Sequence, residues 1–292
     1  VSVAPQPTVY LNGTLVPQNQ ALIPVTDRGF LYGDGLFETV PVHAGRPFAV
    51  VAHFARLKAG AAQLGIALPF DRHGFADILE AVRQANSLSD ALLRVTITRG
   101  SGVLPVPDPS GCHQPTVVVM GRPMPAHTDG DADWGIAAVI APQIATPAAV
   151  LDPTVKSGNF LSHILATAYA RAHGAGEAIL LHGNGTVAEG ATSNLFGVWN
   201  GTLNTPAADG SILPGITRRV VLDLAKKLAI PLREGTIAEA DLAMADELFV
   251  TNSGWGVMAL TQLNQAPVGD GQAGPVSLRL RDAYRAHVAF AP

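Results

Sequence analysis

LDPTVKSGNFL, residues 151–161, is a short polar turn that runs into an apolar helical pattern. Asp152-Pro153 marks the turn. From Asn159 to His173 apolar residues recur at Phe160, Leu161, Ile164, Leu165 and Ala168, a helical stripe that Gly174 stops. Lys156 stands at the junction. The other lysines, Lys58 and the pair Lys226-Lys227, lie on polar faces of helical patterns and read as solvated charges. A lysine partly desolvated at such a junction has a lowered pKa and a free amine suited to Schiff-base chemistry; the plainer reading is a charge at a helix start.

Outward from this stretch the chain mixes strand and helix patterns without regular alternation, which predicts an α+β fold in two domains rather than a doubly wound sheet. Strands are expected at Thr8–Leu11, Gly35–His43, Arg46–Val51, Leu92–Thr98, Thr116–Met120, Trp134–Ala141, Ala178–His182, Leu195–Trp199 and Glu247–Thr251. Helices are expected at His53–Leu64, closed by Gly65, and at Phe75–Gln84, Asn159–His173, Thr217–Leu228 and Leu278–His287. GRPMPAHTDGDAD, residues 121–133, is the best linker. It separates a first domain over 1–120 from a second over 134–292.

Composition narrows the function. The 292 residues are 48% hydrophobic and 14% charged, too apolar for global disorder. Yet no apolar run exceeds that of Ile136–Pro142, far short of the ~18–20 residues of a membrane span. A net charge of −4 with no basic block gives no footing for nucleic acid. One cysteine, Cys112, excludes an internal disulfide framework, and nine scattered histidines without H-x-H or H-E-x-x-H spacing argue against a metal site. The beginning VSVAPQPTVYLNG does not read as a signal peptide, so a soluble cytoplasmic protein is expected, with no membrane partner.

Other segments offer complementary chemistry. In GTVAEGATSNLFGVW, Glu189 is a carboxylate suited to a cationic ring nitrogen, or else a residue that holds its own turn. In LPGITRRVVLDLAKK, Gly215 permits close backbone approach, and the amides of Ile216 and Thr217 with the threonine hydroxyl make an anion cradle or an ordinary helix cap. TNSGWG, residues 251–256, offers a second set of amides around Asn252 and Ser253. Arg56 in HFARL is a cation for a phosphate or a solvated helix charge. YGDGLFE, residues 32–38, lacks the third glycine of a dinucleotide fingerprint. KSG at 156–158 has no S-x-x-K partner, which excludes a penicillin-recognising enzyme.

In this order YLNG, DRGFLYGDGLFET (27–39), HFARL (53–57), KSGNFL (156–161), AEGATSNLF (188–196), LPGITRR (213–219) and ADELFVTNS (245–253) resemble the class IV aminotransferases, pyridoxal-phosphate enzymes of fold type IV. The resemblance spans nearly the whole chain. It implies a smaller N-terminal α/β domain, a larger barrel-like C-terminal one, and a homodimer whose sites borrow residues from the partner subunit. It implies that Lys156 carries pyridoxal 5'-phosphate as a Schiff base and shuttles the substrate's α-proton. Glu189 would pair with the pyridine nitrogen. Arg56, the amides of Ile216 and Thr217, and the Asn252-Ser253 turn would hold the phosphate, with Leu213 against the ring.

Within the family the motifs point in several directions. Branched-chain aminotransferases share YGDGLFE, which places Tyr32, Phe37 and Thr39 at the substrate. However, they carry a tyrosine where Phe160 stands, a glycine in place of Thr39 and an arginine in place of Pro41. Thr98-Arg99-Gly100 resembles the carboxylate-binding segment of D-amino-acid aminotransferases. Thr39 and Asn252-Ser253 also resemble 4-amino-4-deoxychorismate lyases, which release pyruvate and 4-aminobenzoate. Arg94 and Arg99 are both candidates for the substrate carboxylate; five residues apart in a strand, they point to opposite faces. The expected activity is transfer of an amino group from an amino acid, or an (R)-amine, to a 2-oxo acid. The lyase is the alternative.

Overall fold

The computed structural model describes residues 6–102, 106–124 and 135–290. It divides into two compact units, Val1–Ala126 with Val155–Phe160, and His127–Thr154 with Leu161–Pro292. The 125–133 part of the expected linker, and Trp134, lie outside the described residues, while Gly121 to Pro123 end a strand.

The first unit is built on β1 (Thr8–Leu11), β2 (Thr14–Pro17), α1 (Arg28–Tyr32), β3 (Gly35–His43), β4 (Arg46–Pro47), α2 (Val50–Leu64), α3 (Arg72–Ala85), β5 (Ala91–Thr98) and β6 (Thr116–Pro123). Its six strands form an antiparallel sheet in the order β2-β1-β6-β5-β3-β4. Val40, Leu93, Val95 and Ile97 on these strands meet Leu57, Phe75, Leu79 and Val82 of α2 and α3 in one apolar core. A fully buried leucine or valine contributes roughly 1.5–3 kcal/mol, so this shared face fixes the strand register.

One expected strand is corrected. Arg46–Val51 pairs only over Arg46 and Pro47. Ala49 then adopts a left-handed φ of 54°, and its carbonyl accepts from Ala52 and His53, which starts α2 at Val50. Because β4 is short, the β3 edge at Gly35–Glu38 is open to another segment. Val155–Phe160 takes that place: the Phe37 amide donates to Lys156 O at 2.8 Å, and the Gly158 amide to Gly35 O at 2.8 Å. Gly35 itself lies so close to β5 that a Cβ would sit 2.5 Å from Ile97 O.

The second unit contains β7 (Ile136–Ile144), α4 (Leu161–Ala172), β8 (Glu177–Leu181), β9 (Val187–Gly190), β10 (Asn194–Trp199), β11 (Thr202–Pro206), α5 (Ile216–Lys227), β12 (Leu232–Gly235), α6 (Glu239–Leu242), β13 (Glu247–Asn252), β14 (Gly256–Leu263), β15 (Ala266–Pro267) and α7 (Pro275–Phe290). The sheet runs β12-β11-β10-β13-β14-β7-β8-β9, with β15 beside β14. It is a curled, mixed sheet, parallel only at β7–β8, β7–β14 and β11–β12. The α+β class is thereby observed. Helices α5 and α7 pack with Phe196, Phe249 and Val257 on one face. The apolar stripe of α4 is different: its buried residues are Ala166 and Ala170, while Leu161, Ile164 and Leu165 are exposed. The helix begins at Leu161 rather than Asn159, since the backbone of residues 156–158 pairs with β3 and the Asn159 side chain donates to Gly33 O. No helix among the described residues is long and apolar enough to cross a membrane.

Candidate active site

In the first unit Lys156 is half-buried, with Nζ 4.6 Å from the centre of the Phe37 ring and 5.9 Å from that of Phe160. Phe160 meets Phe37 edge-on at 5.5 Å, and the two rings form an aromatic wall. Arg94 lies over the same Phe37 ring, 3.9 Å from its centre. The β3–β5 register explains this: Phe37 faces Thr96 and Thr39 faces Arg94, so all four side chains project from one side of the sheet.

That side opens into a cavity of about 420 Å³, lined in part by Ile23, Pro24, Val25, Phe30, Phe37 and Arg94. Arg94 is exposed, though nearby protein still lowers its pKa by desolvation, and no carboxylate partner is seen for it among the described residues. Arg99 is placed otherwise. It grips Asp34 with Nε at 2.8 Å and Nη2 at 3.1 Å and donates to the carbonyls of Leu64 and Gly65. Arg28 Nε donates to the same Asp34 Oδ2 at 2.7 Å, and its guanidinium lies 5.0 Å from the Tyr32 ring centre. Burial would raise the Asp34 pKa, but the two arginines outweigh it and hold the carboxyl low. Asp27 caps α1 and accepts from Thr98 and Thr116. The charges of DRGFLYGDG therefore build the loop, and Arg94 is the arginine that faces the cavity.

Arg56 is not a solvated helix charge: its side chain is only 12% exposed. Its Nε and Nη2 bind the Glu38 carboxylate at 2.7 and 2.8 Å, and His53, one helical turn earlier, reaches the same carboxylate at 2.7 Å. Burial alone would raise the Glu38 pKa; the Arg56 charge and the hydrogen bonds from Arg56 and His53 hold it at about 2. Burial lowers the His53 pKa despite the neighbouring Glu38. Sequence reasoning missed Glu38 and His53. The signal was the His53–Arg56 spacing, which puts both on one helix face toward the only acid of β3.

In the second unit Glu189 is the penultimate residue of β9 and is 9% exposed. Its carboxylate accepts from the Leu213 amide at 3.3 Å and from Asn194 Nδ2 at 3.2 Å. Asn194 in turn donates to Leu213 O, and a Cβ on Gly215 would collide with the Asn194 amide. Glycine thus lets Leu213–Gly215 close over Asn194. Gly215 caps α5 with no side-chain hydrogen bond, so the Ile216 and Thr217 amides open the helix without a local side-chain acceptor. Asn252 spends its Oδ1 on the amides of Gly254 and Trp255 and its Nδ2 on Thr192 O. It shapes the turn that carries Ser253.

Glu177 was not expected. Fully buried, it accepts from the hydroxyls of Thr192 and Ser193 and from the Ala178 amide, and burial raises its pKa in spite of them. It holds the Gly190–Ser193 turn that leads into Asn194. Among the described residues no group of three or more His, Cys, Asp and Glu could hold a metal ion.

The first unit offers an amine on an aromatic wall, and the second offers a buried carboxylate fixed by two donors and a helix N-terminus without a side-chain cap; each is chemistry of a kind that pyridoxal phosphate uses. The chain belongs to the class IV aminotransferases: the model of that family, amino-transferase class IV, matches residues 35–263. Its relatives sharpen the placement. A putative branched-chain-amino-acid aminotransferase of Methanocaldococcus jannaschii is 37% identical over 277 residues, 95% of each chain. A D-alanine aminotransferase of Staphylococcus haemolyticus is 30% identical, covering 96% of this chain and 97% of that one. Among solved structures, the branched-chain aminotransferase of Escherichia coli superposes with a TM-score of 0.90 at 29% identity, over 96% of this chain and 94% of that one. The T.th. branched-chain aminotransferase solved with pyridoxamine 5'-phosphate also gives 0.90, at 30% identity over 97% and 94%. The enzyme's cofactor is pyridoxal 5'-phosphate.

Proposed function

We propose that the enzyme transfers the amino group of an amino acid, rather than of a simple amine, to a 2-oxo acid. The observation that carries this reading is Arg94: a guanidinium without a carboxylate partner among the described residues, on the ring that also supports Lys156, in a cavity otherwise mostly apolar. A substrate carboxylate would complete it, and Ile23, Val25, Phe30 and Phe37 would receive an apolar side chain. Names of relatives point both to branched-chain amino acids and to D-alanine.

The cofactor, when bound, supplies an electron sink for the charge left at the substrate's Cα. The chain's residues do the rest. Lys156 would hold the cofactor through its Nζ, and that amine, once released by the incoming substrate amine, would take the Cα proton and return it. Glu189 would keep the ring nitrogen protonated. Arg56, the Ile216 and Thr217 amides and Ser253 would bind the phosphate, and Leu213 would pack against the ring. Tyr32 and Thr39 contact the substrate.

The working form is a homodimer, for which the exposed Leu161, Ile164 and Leu165 on α4 provide an apolar contact face. A cytoplasmic location follows from the same reading of one free cysteine and soluble amino and oxo acids. The test is borohydride reduction of the holoenzyme followed by peptide mapping. A phosphopyridoxyl group on Lys156, with amino transfer abolished in Lys156→Ala, supports the proposal; a label on another lysine overturns it.

A further inference from the structure

Tyr284 of α7 is 4% exposed, inside the apolar cluster formed with Val221, Phe249, Val257 and Leu280. Its ring is pressed against Gly256. A Cβ there would sit 2.7 Å from Tyr284 Cε1 and 2.9 Å from Cδ1, and Gly256 has a φ of +66°. Gly256 closes the Asn252–Trp255 turn, pairing with Asn252 across β13 and β14. At the other end of the side chain, the hydroxyl shares a hydrogen bond with that of Thr217, the second residue of α5, itself buried. Burial raises the Tyr284 pKa to about 12, so the phenol stays protonated at any working pH. A phenylalanine would fill the same apolar space; what the hydroxyl adds is the link to Thr217.

One side chain thus braces both phosphate-binding elements of the second unit. We propose that Tyr284 is a positioning residue for the anion cradle: its ring fixes the 252–256 turn, its hydroxyl fixes Thr217, and together they present two sets of donors as one preformed site. The inference rests on the reading that the cofactor phosphate binds at Ile216–Thr217 and Ser253. Tyr284 touches neither cofactor nor substrate in this scheme and acts through Thr217 and Gly256.

The test is a double-mutant cycle on cofactor affinity, with Tyr284→Phe, Thr217→Ala and the pair, titrating each apoenzyme with pyridoxal 5'-phosphate. Tyr284→Phe should weaken affinity about five- to tenfold, the loss of one neutral hydrogen bond. It should also move the 31P resonance of the bound phosphate and cause no further loss in the Thr217→Ala background. A purely structural role would lower the apoenzyme melting temperature while leaving affinity and resonance unchanged, and that result overturns the proposal. So does equal weakening in both backgrounds. If Thr217→Ala itself binds the cofactor as wild type does, the cradle reading fails and the proposal falls with it; if Thr217→Ala weakens binding and Tyr284→Phe does not, only the role of Tyr284 falls.

Discussion

Glu38→Gln removes the charge at the centre of a buried trio and leaves its shape. The carboxylate is fully buried and bound by Arg56 through two nitrogens and by His53. Its pKa of about 2 against an ordinary 4.5 corresponds to about 3 kcal/mol of folding stability, at ~1.4 kcal/mol per unit. The ~3–5 kcal/mol for breaking a buried pair by removing one partner agrees. The sign follows from linkage. A carboxyl depressed in the folded state stabilises fully above its unfolded value of 4.5, and the contribution is lost as pH falls toward 2. Urea unfolding of wild type and Glu38→Gln at pH 7 and at pH 2 measures both. The variant should be less stable by about 3 kcal/mol at pH 7, and the gap should narrow sharply at pH 2. A difference under about 1 kcal/mol at pH 7, or one that persists in acid, would refute the pairing as a source of stability.

The other substitutions separate binding, chemistry and assembly. Arg94→Gln should raise KM for an amino-acid donor by about 10–100-fold, the value of one charge-assisted bond, with unchanged urea stability; an unaltered KM removes Arg94 from the substrate. Arg99→Gln should instead lower stability through Asp34, and a selective effect on KM would reverse the two assignments. Glu189→Gln should slow α-proton removal, read by loss of deuterium from an α-deuterated donor; wild-type exchange contradicts a role at the ring nitrogen. Leu165→Asp should shift the enzyme toward monomer in sedimentation velocity, and an intact dimer would place the contact elsewhere.

The sequence was most informative where local chemistry and pattern agree. β1 and β3 fall on the expected residues, because β-branched residues and flanking turns act together there. Arg46–Val51 shows the limit: RPFAVV has strand composition, but Ala49 turns left-handed and hands the segment to a helix, which depends on tertiary packing. β14 was not anticipated, since GVMALTQL mixes residues comfortable in either state and owes its form to β13 and β7. The α4 stripe reads as a core face although its large residues are exposed, since burial depends on a surface that periodicity does not reveal. Lys156, Glu189 and the α5 N-terminus stood out as candidates because a lone lysine at a turn, an acid before a Gly-Ala-Thr-Ser turn and a glycine-led helix start are chemically specific. The supports were not: Glu38, Glu177 and Tyr284 act through contacts far away in sequence.

The most direct test of the enzyme as an amino-acid transaminase is a half-reaction on the holoenzyme without acceptor, followed by cofactor absorbance. D-alanine, L-leucine, L-glutamate and (R)-1-phenylethylamine are added separately. We expect conversion to the pyridoxamine form by at least one of the amino acids and none by the carboxylate-free amine. Conversion by (R)-1-phenylethylamine alone, or by no donor at all while aminodeoxychorismate is consumed, would contradict an amino-acid transaminase.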